Sequence, residues 1–311
     1  MKVYFKRILQ VGIPAGALLL AACPAFGPGC PIERTESFAL AGDGGSAGDG
    51  GAPHSDCKVD CADNVGKVNL LDCQYAPTDG GQPGVTCHFT SPCTGRRPAA
   101  MEALAPPATA NPAGAYLAES AALEAASVPA FRHLQEDLVE HGAPPSLVRA
   151  AERAARDEIR HTRVIGALAR RHGVAFAPPV VGARVSRPLG ELAIENVVEG
   201  CVRETFGALI AHLQALRATD PAVRSAMARI ARDETEHAEL AFAVAAWAEP
   251  LLDADGRARV AEARAHAARA LLEEVSRPRP DELGTLLGIP GPEESAALVA
   301  QLDRDLWSKA A

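Results

Sequence analysis

Two seven-residue stretches of this sequence carry the same pair of possible metal ligands. The stretches ARDEIRH at 155–161 and ARDETEH at 231–237 are identical at five of seven positions. Each contains a glutamate followed three residues later by a histidine, and these residues are Glu158, His161, Glu234 and His237. Because residues three apart on a helix are neighbours on its surface, each pair would present a carboxylate beside an imidazole. Such groups bind iron, manganese or zinc, so the spacing predicts metal chemistry.

Both pairs interrupt the apolar face of a predicted helix. Apolar side chains recur at helical spacing around the first pair, from Ala151 to Leu168, and around the second, from Val223 to Val244. A carboxylate that faces a core is costly unless it is paired or bound to a metal. A single pair could be a buried Glu–His hydrogen bond that only fixes the helix position. Two matching pairs favour one shared cage on which two carboxylates and two imidazoles converge.

The remaining ligands of such a cage are expected on the helix before each motif. Glu124 lies 34 residues before the glutamate of the first motif (158 minus 124), on the apolar side of its segment. Glu204 lies 30 residues before the glutamate of the second motif (234 minus 204), among small side chains. Glu199 is the alternative to Glu204, but its spacing to Arg203 suits an exposed ion pair on an α-helix. We therefore predict Glu124 and Glu204 as the remaining ligands.

Long helices are predicted to position these residues. Apolar periodicity with glycine and proline stop signals predicts helices over about 112–140, 146–172, 190–218, 221–248, 254–276 and 293–308. The first four form two tight hairpins joined by one longer, proline-containing crossover, which is the connectivity of ferritin-like four-helix bundles. The sequence therefore predicts an all-α bundle over 111–250, followed by a C-terminal helical extension over 251–311.

One glutamate followed by Glu-x-x-His, and then the same set again, resembles the ferritin-like di-iron carboxylate superfamily. The stretches EAASVPAF, EHGAPPSLVRAAERAARDEIRH, EGCVRET and DPAVRSAMARIARDETEHAELA are similar to a bacterial family of exported ferritin-like domain proteins. The resemblance covers residues 112–250 and does not reach the N-terminal third of the chain. It implies a centre of two iron ions, with manganese as the alternative. Its implied ligands are Glu124, Glu158, His161, Glu204, Glu234 and His237.

The same resemblance implies an aspartate behind each histidine. In di-iron relatives, an aspartate beside the motif glutamate often accepts a hydrogen bond from the ligand histidine on the opposite helix and orients it. Here Asp157 would hold His237, and Asp233 would hold His161. The alternative for both aspartates is a surface position beside a neighbouring arginine. A departure from the family is Pro129, because a proline inside a helix removes a hydrogen bond and bends the helix that carries the first ligand.

Residues 1–22 are predicted to be a lipoprotein signal peptide. Lys2, Lys6 and Arg7 precede an apolar stretch that is too short to span a bilayer. The stretch ends in LAAC, which resembles a bacterial lipobox and implies cleavage before Cys23 and acylation of its thiol. This predicts an exported bacterial lipoprotein, anchored to the membrane by lipid at the outer membrane or the periplasmic face. An ordinary cleaved signal peptide, with Cys23 paired elsewhere, is the alternative.

The composition of residues 23–110 differs from that of the helical part. A Gly/Pro-rich linker at 23–56, a Cys-rich segment at 57–97 and a second linker at 98–110 predict a disordered, disulfide-containing region. Six cysteines suit up to three disulfides in an oxidising compartment, and these are Cys30, Cys57, Cys61, Cys73, Cys87 and Cys93. The close pair Cys57 and Cys61 could instead be half of a zinc site, but no second close pair completes it.

The net charge and the predicted cage together limit the possible functions. A net charge of −8 gives no reason to expect nucleic acid as a partner. Two iron ions in the cage predict oxidoreductase chemistry on O2, peroxide or Fe(II), so the partner would be a small-molecule oxidant or a metal ion. One alternative is a non-enzymatic metal-binding lipoprotein. Another is a structural module with a relic cage, whose Cys-rich segment binds a protein partner.

Overall fold

The computed structural model describes residues 32–39, 57, 69–75, 84–91, 109 and 111–309. The chain divides into two compact units, and the described strands belong to one while residues 111–309 belong to the other. The predicted signal peptide and the predicted lipidation residue Cys23 lie outside the described residues.

Three strands form an antiparallel sheet in the N-terminal unit. They are β1 (Ile32–Ala39), β2 (Asn69–Tyr75) and β3 (Gly84–Ser91), and β3 lies between the other two. The prediction of disorder is therefore wrong for these residues, including β1 inside the predicted linker. Threonine, valine and aromatic residues recur in these short runs and favour strands despite the glycine-rich sequence around them.

One disulfide of the predicted set is present among the described cysteines. Cys57 and Cys73 are joined, with their Cα atoms 5.9 Å apart. Cys87 lies in β3 opposite Cys73, whereas Cys30, Cys61 and Cys93 lie outside the described residues. Because Zn²⁺ binds the thiolate form of cysteine, the disulfide removes Cys57 from the alternative zinc site.

The second unit is helical, as the sequence predicted. Its α-helices are α1 (Pro112–Glu140), α2 (Pro145–Arg171), α3 (Leu189–Glu195), α4 (Thr205–Arg217), α5 (Pro221–Ala248), α6 (Ala254–Val275), α7 (Asp281–Leu287) and α8 (Pro292–Leu302). A π-helical segment, Asn196–Glu204, joins α3 to α4, and a π-helical turn, Asp303–Trp307, follows α8. The π segment and α7 were not predicted. None of the described α-helices is both long and apolar enough to cross a membrane.

The helix boundaries follow local capping signals. Asn111 caps α1 by accepting a hydrogen bond from the Gly114 amide at 2.9 Å, and Asp220 caps α5 by accepting one from the Ala222 amide at 2.8 Å. Each cap is followed by a proline in the first turn, where the missing amide hydrogen costs nothing. Gly173 follows α2 with a φ of 79°, a conformation that glycine adopts without steric cost.

The long helices pack as two hairpins, α1 with α2 and α4 with α5, and α5 also contacts α2 and the π segment. Alanine dominates the buried positions of these helices, which allows their backbones to approach closely.

The crossover between the hairpins is tied to α1 by Asp137, which is fully buried. Its carboxylate accepts hydrogen bonds from Arg184 Nε and Arg187 Nη2, each at 2.7 Å. Two guanidinium groups therefore compensate one buried charge.

The C-terminal helices hold the π segment in place. The indole Nε1 of Trp307 donates a 2.8 Å hydrogen bond to the carbonyl of Cys201, and both residues are buried. Arg203, whose side chain is 1% exposed, forms a 3.2 Å ion pair with Glu274 of α6. Because Cys201 and Arg203 lie inside the π segment, the extension supports the backbone that carries Glu204.

Candidate metal centre

Three carboxylates surround one ring nitrogen of His161. Its Nδ1 atom lies 3.1 Å from Glu124 Oε2, 3.0 Å from Glu234 Oε1 and 3.7 Å from Glu158 Oε2. The histidine is 2% exposed. An imidazole nitrogen has at most one hydrogen to donate, so it cannot satisfy three acceptors. This crowding of anionic oxygens marks a position suited to a cation.

A second group forms around His237, which is also 2% exposed. Its Nδ1 atom lies 3.1 Å from Glu158 Oε1, 3.6 Å from Glu234 Oε1 and 4.0 Å from Glu204 Oε2. Neither ring nitrogen of this buried histidine has a hydrogen bond of good geometry within the part of the chain that the structure describes. A metal ion beside Nδ1 would satisfy one of these nitrogens.

The two groups share their middle ligands. Glu158 directs Oε1 to His237 and Oε2 to His161, and Glu234 Oε1 lies near both imidazoles. Glu124 belongs to the His161 group, and Glu204 belongs to the His237 group. Possible ligand atoms of Glu124, Glu158, His161 and Glu234 lie within 4.8 Å of one another, and so do those of Glu204, Glu234 and His237. Glu158 and Glu234 therefore each lie near both imidazoles, and the six side chains form one continuous cluster that could hold metal ions.

All six residues predicted from the sequence thus lie in one cluster. The helical register of α2 and α5 places each motif glutamate one turn from its histidine. Helix α1 continues through Pro129, and Glu124 still reaches His161. Glu204 is the last residue of the π segment rather than part of a regular α-helix.

Each histidine also meets the aspartate that the family resemblance implied. Asp233 Oδ2 lies 3.1 Å from His161 Nε2, and Asp157 Oδ2 lies 3.5 Å from His237 Nε2. The aspartates therefore lie on the Nε2 side of both rings while the Nδ1 atoms face the glutamates. Carboxylates in this position orient a ligand imidazole and raise its basicity.

Arg160 is a residue whose role the sequence reasoning missed. Its Nη2 atom lies 2.5 Å from Asp157 Oδ1 and 3.3 Å from Asp233 Oδ2, so it joins the two aspartates behind the histidines. Its side chain is 56% exposed. The three-residue spacing to Asp157 was the available signal. The contact with Asp233 on the other helix depends on how α2 and α5 pack, and the spacing of residues within one helix does not predict that packing.

The buried carboxylates and imidazoles of this cluster shift one another's pKa values. Burial opposes charge on His161, but hydrogen bonds to Glu124 and Glu158 outweigh it and hold the pKa of His161 well above its ordinary value. Burial also opposes charge on His237, but the charge of Glu234 and the contacts with Asp157 and Glu158 together outweigh it and raise the pKa of His237. Burial, followed by the charge of Glu158, raises the pKa of Glu124. Burial acts in the same direction on Glu234, but the charge of His237 and the contacts with both imidazoles together outweigh it and lower the pKa of Glu234. Metal ions would therefore have to displace protons.

A pocket of about 260 Å³ opens between α2 and α5 on the aspartate side of the histidines. Its polar lining consists of Arg153, Asp157, Arg160, Asp233, Glu236 and His237. The pocket connects the Asp–His pairs to the surface, so it gives solvent a route to the outer edge of the centre.

Comparisons of the chain with protein-family models, with curated proteins and with solved structures find no match. Function therefore has to be inferred from the site itself.

Proposed function

We propose that this chain is a ferritin-like metalloprotein that binds two iron ions, or two manganese ions, between its two helical hairpins. The observation that carries the proposal is the sharing of Glu158 and Glu234 between the Nδ1 atoms of His161 and His237. A buried Glu–His pair that only fixed the helix register would need one carboxylate for each imidazole. Here four carboxylates converge on two imidazoles.

The donor set fits these metals in type and in charge. Four carboxylates and two imidazoles suit iron or manganese, whereas structural zinc sites use four ligands that are mostly cysteine and histidine. Four carboxylates carry four negative charges, which two divalent cations balance. Buried charges are tolerated when they are compensated in this way. Glu124, Glu158, His161 and Glu234 would hold one metal ion, and Glu204, Glu234 and His237 would hold the other, with Glu158 also close to His237.

The proposed reaction class is oxidoreductase chemistry on O2, peroxide or Fe(II). Two iron ions held together supply electrons one or two at a time to a small oxidant. The chain would keep both imidazoles oriented through Asp157 and Asp233 and would exclude water from the ligands by burial. The pocket lined by Asp157 and Arg160 would allow the protons that metals displace to leave the cluster.

The proposal includes export and a lipid anchor at Cys23. The disulfide between Cys57 and Cys73 supports an oxidising compartment, because such bonds are rare in reducing ones. Labelling with a fatty-acid analogue should mark the wild-type chain and fail after Cys23→Ala. Labelling that survives this substitution would contradict the anchor and leave the metal centre untouched.

Metal analysis tests the central claim. The purified chain, loaded with Fe(II) or Mn(II) without oxygen, should bind two ions, and Glu158→Ala should lose most of them. Glu152→Ala is the matched control, because Glu152 lies on the same helix, is 47% exposed and pairs with Arg156. Wild-type protein that binds neither metal, or full occupancy in Glu158→Ala, would contradict the proposal. Bound iron without oxygen consumption would favour the non-enzymatic alternative.

A further inference from the structure

The π-helical segment changes which glutamates share a side of the third long helical stretch. A π-helix bonds each residue to the fifth one along, so residues five apart lie nearly above one another, whereas an α-helix aligns residues three or four apart. The segment shows this directly, because Asn196 Nδ2 and Cys201 Sγ are 4.0 Å apart across five positions. Glu199 and Glu204 have the same separation (204 minus 199) and lie within the same segment.

The spacing of Glu199 and Arg203 suggested an ion pair exposed to solvent, and the predicted exposure is wrong. Arg203 is buried and pairs with Glu274 of α6, and Glu199 Oε2 is itself buried. The backbone hydrogen bonds of this segment connect residues five apart, not four. The choice between Glu199 and Glu204 therefore assumed an α-helix that the chain does not form here.

We propose that Glu199 is a seventh protein ligand of the centre, which joins Glu204 and His237 at the second metal position. This deepens the proposed function and rests on it. Glu204 Oε2 is 4.0 Å from His237 Nδ1, so the side of the π segment that carries Glu204 faces the cluster. Glu199 lies one turn earlier on that side, a distance of roughly 5 Å, the pitch of a helix. Its side chain can lean across this distance by changing rotamers.

The electrostatics of the segment support ligation. Two carboxylates that approach each other away from water repel, and a nearby cation removes the repulsion. A fifth carboxylate at the centre brings the ligand charge to −5, against +4 for two divalent ions. The surplus favours a metal of higher charge, so Glu199 would stabilise an oxidised metal at the second position more than a reduced one.

The first half of the unit provides an internal control. Glu119 precedes Glu124 by five residues (124 minus 119), as Glu199 precedes Glu204, but α1 is a regular α-helix. Five residues of α-helix rotate a side chain by well over a third of a turn, at 3.6 residues per turn. Glu119 is therefore not expected to reach the metal position of Glu124.

Titration of the full chain with Co²⁺ tests the proposal, because the visible spectrum of bound cobalt reports the number and type of its ligands. Wild-type protein should bind two Co²⁺ ions. Glu199→Gln should weaken one of the two steps by roughly tenfold or more, a loss typical of groups beside a metal, and should change the spectrum. Glu119→Gln should match the wild type in both respects. Circular dichroism and melting of the metal-free variants would establish that each is folded.

The outcomes separate this proposal from the one on which it rests. Wild-type protein that binds no Co²⁺ would overturn both proposals. Wild-type binding of two ions with no change in Glu199→Gln, or with an equal change in Glu119→Gln, would overturn only the assignment of Glu199. If Glu199→Gln does not fold, Glu199→Asp decides, because it keeps a buried carboxylate but shortens its reach. A wild-type spectrum and affinity in that variant would show that the carboxylate acts by charge alone.

Discussion

The two halves of the helical unit share a motif but present their single glutamates from different backbones. In the first half, Glu124 lies on a regular helix, α1, that continues through Pro129. In the second, Glu204 ends a nine-residue π-helical segment. Each is preceded by another glutamate at a five-residue distance, Glu119 or Glu199. The same spacing therefore places the earlier glutamate differently, because backbone hydrogen bonding decides which side chains share a face.

The halves also differ outside the ligands. The motifs diverge at two positions, where Ile159 and Arg160 in the first correspond to Thr235 and Glu236 in the second. Arg160 contacts both aspartates behind the histidines. The C-terminal extension also contacts the π segment of the second half, through the hydrogen bond from Trp307. A symmetric set of ligands is thus held by an asymmetric scaffold.

The largest expected effect comes from the bridging carboxylates, where the halves should behave alike. Glu158→Ala and Glu234→Ala each remove a ligand from both metal positions, so each should lose both ions. The fall in metal affinity should exceed roughly 10–100-fold, which is typical when a group that hydrogen-bonds to a metal ligand is removed. Metal stoichiometry after dialysis measures it. Retention of one tightly bound ion in either variant would show that the carboxylate does not bridge.

The terminal carboxylates should reveal the difference between the halves. Glu124→Gln removes the terminal carboxylate of the first position, so that position should lose its ion. Glu204→Gln should keep part of its ion, because Glu199 can still supply a carboxylate there. Metal titration of the two variants side by side gives the comparison. Equal losses would mean that the two halves are equivalent, and they would count against a ligand role for Glu199.

The sequence predicted the Glu–His pairs of the cluster well because each pair depends on short-range spacing. Glu158 and His161 are adjacent on any α-helix that contains them, and capping residues such as Asn111 and Asp220 mark where the helices begin. The π segment has no comparable signature in the sequence. It is stabilised by long-range contacts, such as the hydrogen bond from Trp307. Such contacts cannot be inferred from the apolar periodicity of one helix. The strands were missed for a related reason, since their pairing joins residues far apart in the chain.

Raising the pH should strengthen the stabilisation that metal provides. The pKa values of His161 and His237 are raised in the metal-free fold. The stability that their protonation contributes is therefore fully present below the ordinary histidine pKa of about 6.5 and is lost as pH rises through the raised folded values. Metal binding displaces these protons and becomes more favourable as pH increases. The difference in Tm with and without Mn²⁺ should consequently grow between about pH 5.5 and 7.5. A constant difference would contradict proton displacement.

Trp307→Phe should affect the second half only. The substitution keeps an aromatic ring in a buried site but removes the donor to the Cys201 carbonyl. An unsatisfied buried acceptor costs about 1–3 kcal/mol of unfolding free energy. We expect that loss in chemical denaturation, together with weaker metal binding at the Glu204 position and unchanged binding at the Glu124 position. Equal weakening at both positions would show that the indole supports the whole fold rather than the π segment.

The smallest expected effect is that of Arg160→Ala, which tests whether the contact of this arginine with the two aspartates influences the centre. Arg160→Ala removes the ion pairs to Asp157 and Asp233 but leaves both aspartates beside their histidines. Because the guanidinium is 56% exposed, solvent screens these pairs, and the loss of stability should stay below about 1 kcal/mol. Burial acts to raise the pKa of Asp157, but its contacts with His237 and then Arg160 outweigh it and hold the pKa below its ordinary value. The variant should therefore raise the pKa of Asp157, which a carboxylate NMR titration would measure.

Arg156→Ala is the matched control, since that exposed arginine pairs only with Glu152 among the described ion pairs. An unchanged Asp157 titration in Arg160→Ala would show that the arginine contact has no influence on the groups behind the metal ligands.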